Sequence, residues 1–212
     1  HGTGGGHGGH GGFGYKRGGA AYGSLTAPVT PGSGGTPYGT APGGSGGGVV
    51  RIVAGSGVTI NGVVSANGLT PPSSAGGGAG GSIYITTPLF SGNSDGLLSA
   101  NGGAAQNTGL GGGGGGGRMA IDGGQVVAPL FVRFSTAPGR GDNDSQDTSI
   151  PAAIRPLEPH HAWTAAWGTL YIEDEAMLAS MPQHNQFDRV VLQVGTVTQW
   201  TVTQLTVTNN SF

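Results

Sequence analysis

Cysteine is absent from this 212-residue chain. That removes both a disulfide framework and a thiolate metal site. Charge is scarce as well. Asp, Glu, Lys and Arg make up 8% of residues, where about 25% is usual. Eight basic residues scattered along a chain of net charge −2 give no electrostatic footprint for nucleic acid. No stretch reaches about 18 consecutive apolar residues, the length a membrane-spanning helix needs. A basic amphipathic helix suited to a membrane surface is also missing. Glycine never settles into a sustained period of three with proline, which excludes collagen. The chain starts at His1 without Met. No charged segment followed by an apolar one comes next, so the chain reads as an excised or processed piece of something longer.

Glycine dominates instead, at 48 of 212 residues, against a usual share of about 7%. Such a composition often signals disorder. Disorder, however, goes with high net charge and few β-branched residues. Here Val, Ile and Thr come in short coherent runs, for example Val49-Val50-Arg51-Ile52-Val53. These runs are the sites of an ordered, β-rich core.

The runs recur. Gly-rich blocks lead into strand candidates at Val49, Ser82 and Arg118, spacings of 33 and 36. Ser65-Ala66-Asn67-Gly68 returns as Ser99-Ala100-Asn101-Gly102. Periods in this range mark arrays whose units bury a face only by stacking on a neighbour. Short strands broken by Gly and Asn turns suit the coils of a parallel β-helix, one coil spanning residues 49–68. An antiparallel meander through Asn61-Gly62 is the other way to join them.

The expected fold is therefore all-β. It is a glycine-rich right-handed parallel β-helix or β-solenoid with an extended, polyproline-II-like N-terminal segment. Residues 1–48 form that segment, packed on the solenoid through aromatic side chains such as Phe13, Tyr22 and Tyr38. Residues 49–134 hold the repeats. Residues 135–168 form a polar, proline-containing loop. Residues 169–212 return to β-strands that continue the solenoid, with a short helical turn within Glu173 to Met181.

Candidate sites are few. Gly111 to Gly117 lacks the Gly-Lys-Ser/Thr ending of a phosphate loop, so it reads as a backbone-packing element. His1, His7 and His10 are candidate ligands for Cu(II), Ni(II) or Zn(II), since imidazole is a common ligand. Asp142, Asp144 and Asp147 form the densest carboxylate cluster. Calcium, which takes about six to eight oxygens, is the metal such a cluster suits, although the EF-hand pattern is not met. Arg140-Gly141-Asp142 spells a short receptor-recognition tripeptide. Glu158, His160, His161, Glu173, Asp174 and Glu175 are the residues an enzyme reading would use, but Glu173, Asp174 and Glu175 are adjacent, and neighbours on a strand face opposite sides. Trp163, Trp167, Trp200 and Tyr171 line either a sugar-binding surface or a core.

Taken together, several motifs resemble the glycine-rich repeat regions of large secreted and cell-surface, adhesin-like proteins. They are His7-Gly8-Gly9, Gly46-Gly47-Gly48-Val49-Val50-Arg51, Asn61-Gly62-Val63-Val64-Ser65-Ala66-Asn67-Gly68, Gly80-Gly81-Ser82-Ile83-Tyr84-Ile85 and Gly168-Thr169-Leu170-Tyr171-Ile172. The resemblance implies an extracellular, β-helix-like stalk or filament segment with no catalytic or cofactor-binding residues to carry over. The expected function is a structural or adhesive segment of an extracellular fibre, surface appendage or adhesin, not an enzyme. Its expected partners are copies of itself, neighbouring segments of one long chain, or surface glycans. A carbohydrate-binding or carbohydrate-cleaving β-helix is the competing reading, and a disordered linker over residues 1–48 with one small β-domain is a third.

Overall fold

The computed structural model describes residues 1–14, 16–106, 111–123, 125–141, 165–174, 176–179 and 186–195. Its strands come in successive sets. The first is β1 (Val49–Val53), β2 (Val58–Ile60) and β3 (Val63–Ser65). The second is β4 (Ser82–Thr86), β5 (Leu89–Gly92) and β6 (Leu97–Ser99), and the third is β7 (Arg118–Asp122), β8 (Gln125–Val126) and β9 (Arg133–Ser135). Then follow β10 (Gly168–Ile172), a single helical turn α1 (Ala176–Ala179), β11 (Phe187–Asp188) and β12 (Val190–Val194).

Every ladder between these strands is parallel, and like pairs with like. The sheets read β1-β4-β7-β10-β12, β2-β5-β8 and β3-β6-β9-β11. Register follows side-chain alternation. Ile52, Ile85, Ile121, Ile172 and Val194 line up across the first sheet, beside Val50, Ile83, Met119, Leu170 and Leu192. Val64, Leu98, Phe134 and Phe187 line up across the sheet that begins with β3. These residues join Val58, Ile60 and Phe90 of the β2 sheet in one apolar core. A slip by one residue would send each row to the solvent side, so the rows pin the register.

The rest of each repeat builds something else. Residues Gly76 to Gly81 send their N–H groups in three directions. Gly76 and Ala79 donate to Thr36 and Ser33, Gly77 and Gly80 to Gly112 and Gly115, and Gly78 and Gly81 to Leu69 and Ala66, at 2.7 to 3.1 Å. Gly112 to Gly117 does the same. Gly112 and Gly115 donate to Gly2 and Gly5, Gly114 and Gly117 to Gly103 and Ala100, and Gly116 to Ala166. A partner direction that repeats every third residue matches a helix of three residues per turn. Around such a segment, neighbours sit on three sides rather than two, so the result is a lattice rather than a sheet. A Cβ at Gly76, Gly77, Gly78, Gly80 or Gly81, or at any residue from Gly112 to Gly117, would fall within 3.0 Å of a neighbour's backbone.

These findings correct the expected right-handed β-helix or β-solenoid: the strands form three separate parallel sheets. The physical reason lies in the glycine blocks. They are not tight corners that close a coil, because their N–H groups are spent on the lattice. The polyproline-II-like segment expected to pack beside a solenoid is corrected too. Residues 2–7 lie buried, inserted between Gly76–Gly81 and Gly111–Gly117 through the Gly5–Gly77 and Gly112–Gly2 hydrogen bonds. The meander through Asn61-Gly62 is also replaced, since β2 and β3 lie in different sheets.

The lattice predicts a sharp contrast between glycines. Gly114→Ala would thrust a methyl at Gly78's carbonyl and should lower stability by at least about 1–3 kcal/mol, the usual cost of overpacking. At Gly55 a Cβ would meet nothing within 4 Å, so alanine there should be tolerated within about 0.5 kcal/mol. Thermal unfolding of the two variants measures the difference, and equal melting points would refute it.

Candidate functional site

The outer face of the first sheet gathers one cluster of chemistry-bearing side chains. With Val50 and Ile52 turned inward, alternation turns Arg51 outward. Register then sets Arg51, Tyr84, Ala120, Tyr171 and Gln193 in one outer row. The Arg51 guanidinium carbon lies 5.9 Å from the centroid of the Tyr84 ring. The Tyr84 hydroxyl donates to Asp122 Oδ2 at 2.8 Å, and the Gly123 N–H donates to the Glu173 carboxylate. Burial pushes the Tyr171 hydroxyl above its usual range, and the charges of Glu173 and Asp122 push it further the same way. Tyr171 therefore stays a neutral donor. Its ring is buried, so it offers no open face on which a sugar could stack.

A second cluster sits where the N-terminal segment crosses this sheet. His7 is fully buried. Its Nδ1 lies 2.9 Å from the Gly80 carbonyl. A carbonyl only accepts, so Nδ1 carries the proton and Nε2 accepts from the Thr30 hydroxyl at 3.1 Å. The ring continues a backbone pattern: Gly2 donates to Ser74, Gly5 to Gly77, and then the His7 side chain reaches Gly80. Arg118 is buried nearby. Its Nε donates to the Tyr22 carbonyl at 2.7 Å and one terminal nitrogen to Thr169 Oγ1 at 3.2 Å. Among the described residues the ion pair present is Arg189–Asp188, so Arg118 is held by neutral acceptors.

The recurring Ser-Ala-Asn-Gly signature also has a role. Asn67 Oδ1 accepts from Ser99 Oγ and the Asn101 N–H at 2.6 and 2.7 Å. One repeat on, Asn101 Oδ1 accepts from Ser135 Oγ and the Ala137 N–H at 2.7 and 2.8 Å. The motif stitches layer to layer.

The proposed histidine ligands do not meet. His1 stacks on Tyr38 with ring centroids 4.8 Å apart, His7 is used as above, and His10 is exposed and accepts from the Ala21 N–H. Among the described residues no group of three or more His, Cys, Asp or Glu side chains comes together. Asp142, Asp144 and Asp147 lie outside the described residues, as do Glu158, His160, His161, Trp163, Glu175 and Trp200. Arg140 and Gly141 are described but the Asp142 of their tripeptide is not. Trp167 is exposed. Sequence reasoning picked out Tyr171 and Glu173 but missed Arg51, Tyr84 and Asp122. The signal for these was the 33- and 36-residue offset, which aligns Arg51 with Tyr84 and Thr86 with Asp122.

His7 makes a pH prediction. Burial, the largest effect, holds its pKa below the ordinary histidine value of 6.5; the Gly80 carbonyl acts the other way and the Arg118 charge lowers it further. The unfolded chain therefore takes up the proton first as pH drops. Stability present above about pH 6.5 is lost as pH falls toward the lower folded value. Urea midpoints should fall between pH 7.5 and 5.5, and His7→Gln should remove part of that slope; equal slopes in the two proteins would refute the assignment. Comparison with known proteins adds no candidate for this site: no family model, curated protein or solved structure matches the chain.

Proposed function

We propose that the chain is a structural segment of an extracellular fibre, surface appendage or adhesin, with copies of itself or neighbouring segments as its partners. One observation carries this reading. Main-chain hydrogen bonds knit together residues that are far apart in sequence, both in the sheets and in the glycine lattice. Gly9 is bonded to Gly116, and Gly112 to Gly2. To lengthen such a body, many inter-segment bonds must break together, and each is worth about 1 kcal/mol net. Low charge supports the same reading, because little repulsion opposes close association.

Hydrogen exchange tests the rigid body directly. Amides of Gly76–Gly81 and Gly112–Gly117 should exchange orders of magnitude more slowly than in a free peptide. Stretching single molecules through residues 2 and 194 should give one abrupt, high-force rupture. Free-peptide exchange rates would end the proposal. Release of reducing sugar from a polysaccharide panel would turn it toward the carbohydrate-cleaving alternative.

A further inference from the structure

Arg118 carries a buried positive charge with no carboxylate beside it among the described residues. It is 9% exposed, and the ion pair present lies elsewhere, at Arg189–Asp188. Asp122, at the far end of the same strand, takes the Tyr84 hydroxyl instead. Burial lowers the Arg118 pKa, and no carboxylate acts against it. A guanidinium has five N–H donors. The Tyr22 carbonyl takes the one on Nε and Thr169 Oγ1 takes one on Nη1. Three are left without a partner among the described residues, both of those on Nη2 included. Buried charges are normally paired, because an isolated ion loses its hydration with nothing in return. The fastening role described above therefore uses less than half of what this side chain offers.

Register shows from which side those donors are reached. Arg118 stands on the outer face of the first sheet, in a row that runs Val49, Ser82, Arg118, Thr169, Val191. The Ser82 flank is closed. Ser82 Oγ donates to the Thr30 carbonyl at 2.6 Å, the Thr30 hydroxyl bonds to His7, and the His7 ring lies 4.9 Å from that of Tyr22. The Thr169 flank is open, since Thr169 is half-buried and Val191 beyond it is 50% exposed. Thr169 Oγ1 accepts from Arg118, so its own hydrogen is left to donate to the same guest. His7 adds no charge, because its Nδ1 proton is spent on the Gly80 carbonyl and its Nε2 accepts. One fixed cation suits an anion of one charge, and the planar guanidinium matches the two oxygens of a carboxylate. We infer that Arg118 and Thr169 form a binding site for a carboxylate carried by another molecule, which enters over Val191. The site is additional to the structural role proposed above and does not rest on it.

Titration of the nitrogen-15-labelled full chain with acetate, glucuronate and N-acetylglycine tests the site, with ionic strength held constant by sodium chloride. The Arg118 Nε–H resonance, assigned by its loss in Arg118→Lys, should shift in a saturable way with each carboxylate and stay still with glucose. Tighter binding of glucuronate than of acetate would name an acidic sugar as the source of the carboxylate, and tighter binding of N-acetylglycine a chain end; either supports the site. Thr169→Val removes one hydroxyl outside the apolar core and should weaken each carboxylate about three- to tenfold, the loss of one hydrogen bond. A resonance that no carboxylate moves, the same saturable shift with chloride alone, or full affinity in Thr169→Val would each overturn the site. Amide protection of Gly76–Gly81, read in the same samples, tells loss of the site from loss of the fold. Should Arg118→Lys lose that protection, Thr169→Val decides. A protected wild-type chain that binds no carboxylate removes the site and leaves the structural reading standing.

Discussion

Close approach of one bare backbone to another is the constraint on which the molecule depends. In Gly76–Gly81, and in Gly112 and Gly114–Gly117, N–H groups leave in three directions and find carbonyls on different neighbouring segments. That arrangement needs neighbours near enough to hydrogen-bond on all sides, which leaves no volume for a Cβ at the glycines of either segment. Glycine loses more conformational freedom on folding than any other residue, so such a segment is a poor element on its own. It becomes stable when surrounded, because a buried main-chain group must be paired and here the neighbours supply the pairing. The lattice is therefore cooperative by construction.

The sheets provide what the lattice lacks, namely apolar burial. Ile52, Ile85, Ile121 and Ile172 stack in one row, and Phe134 lies over Phe187 with ring centroids 5.8 Å apart. Burial of a large aliphatic side chain is worth about 1.5–3 kcal/mol, so a few rows offset much of the entropy lost by ordering the glycines. The two halves are joined within each repeat, since the chain passes from lattice to sheet at Gly48, Gly81 and Gly117 and returns after Ser65, Ser99 and Ser135. The Asn67 and Asn101 side chains clamp that return point. Polar side chains at the boundary, above all His7 and Arg118, bind the N-terminal segment to both halves. In this architecture side-chain chemistry acts mainly as fastening, which is why the polar clusters bond to their own backbone.

Strand positions were legible because they rest on local pattern. Val49–Val53, Val58–Ile60 and Ser82–Thr86 are β-branched runs bounded by Gly and Asn, and they are strands. β5 was hidden, because Pro88-Leu89-Phe90-Ser91-Gly92 reads as a turn; its place beside β2 is visible only once the repeats are laid in register. Glycine blocks carry no side chain and so no pattern, and along the sequence they pass for corners of a coil. The candidate site was less legible still. Tyr84 and Asp122 are separated by 38 residues and meet because two strands pair, while His1, His7 and His10 are near in sequence yet point to different partners.

Composition and periodicity alone determined that the chain is β-rich, built of repeats, free of thiol chemistry and poor in charge, because those properties are counts and spacings along one line of residues. Only the tertiary structure decided that the strands make three parallel sheets, that the glycines make a lattice, and that His7 bonds to the Gly80 carbonyl and the Thr30 hydroxyl. The reason is that a glycine N–H has no address of its own. Which carbonyl it meets depends on segments from Gly2 to Ala166 arriving together, and a one-dimensional pattern does not encode that arrival.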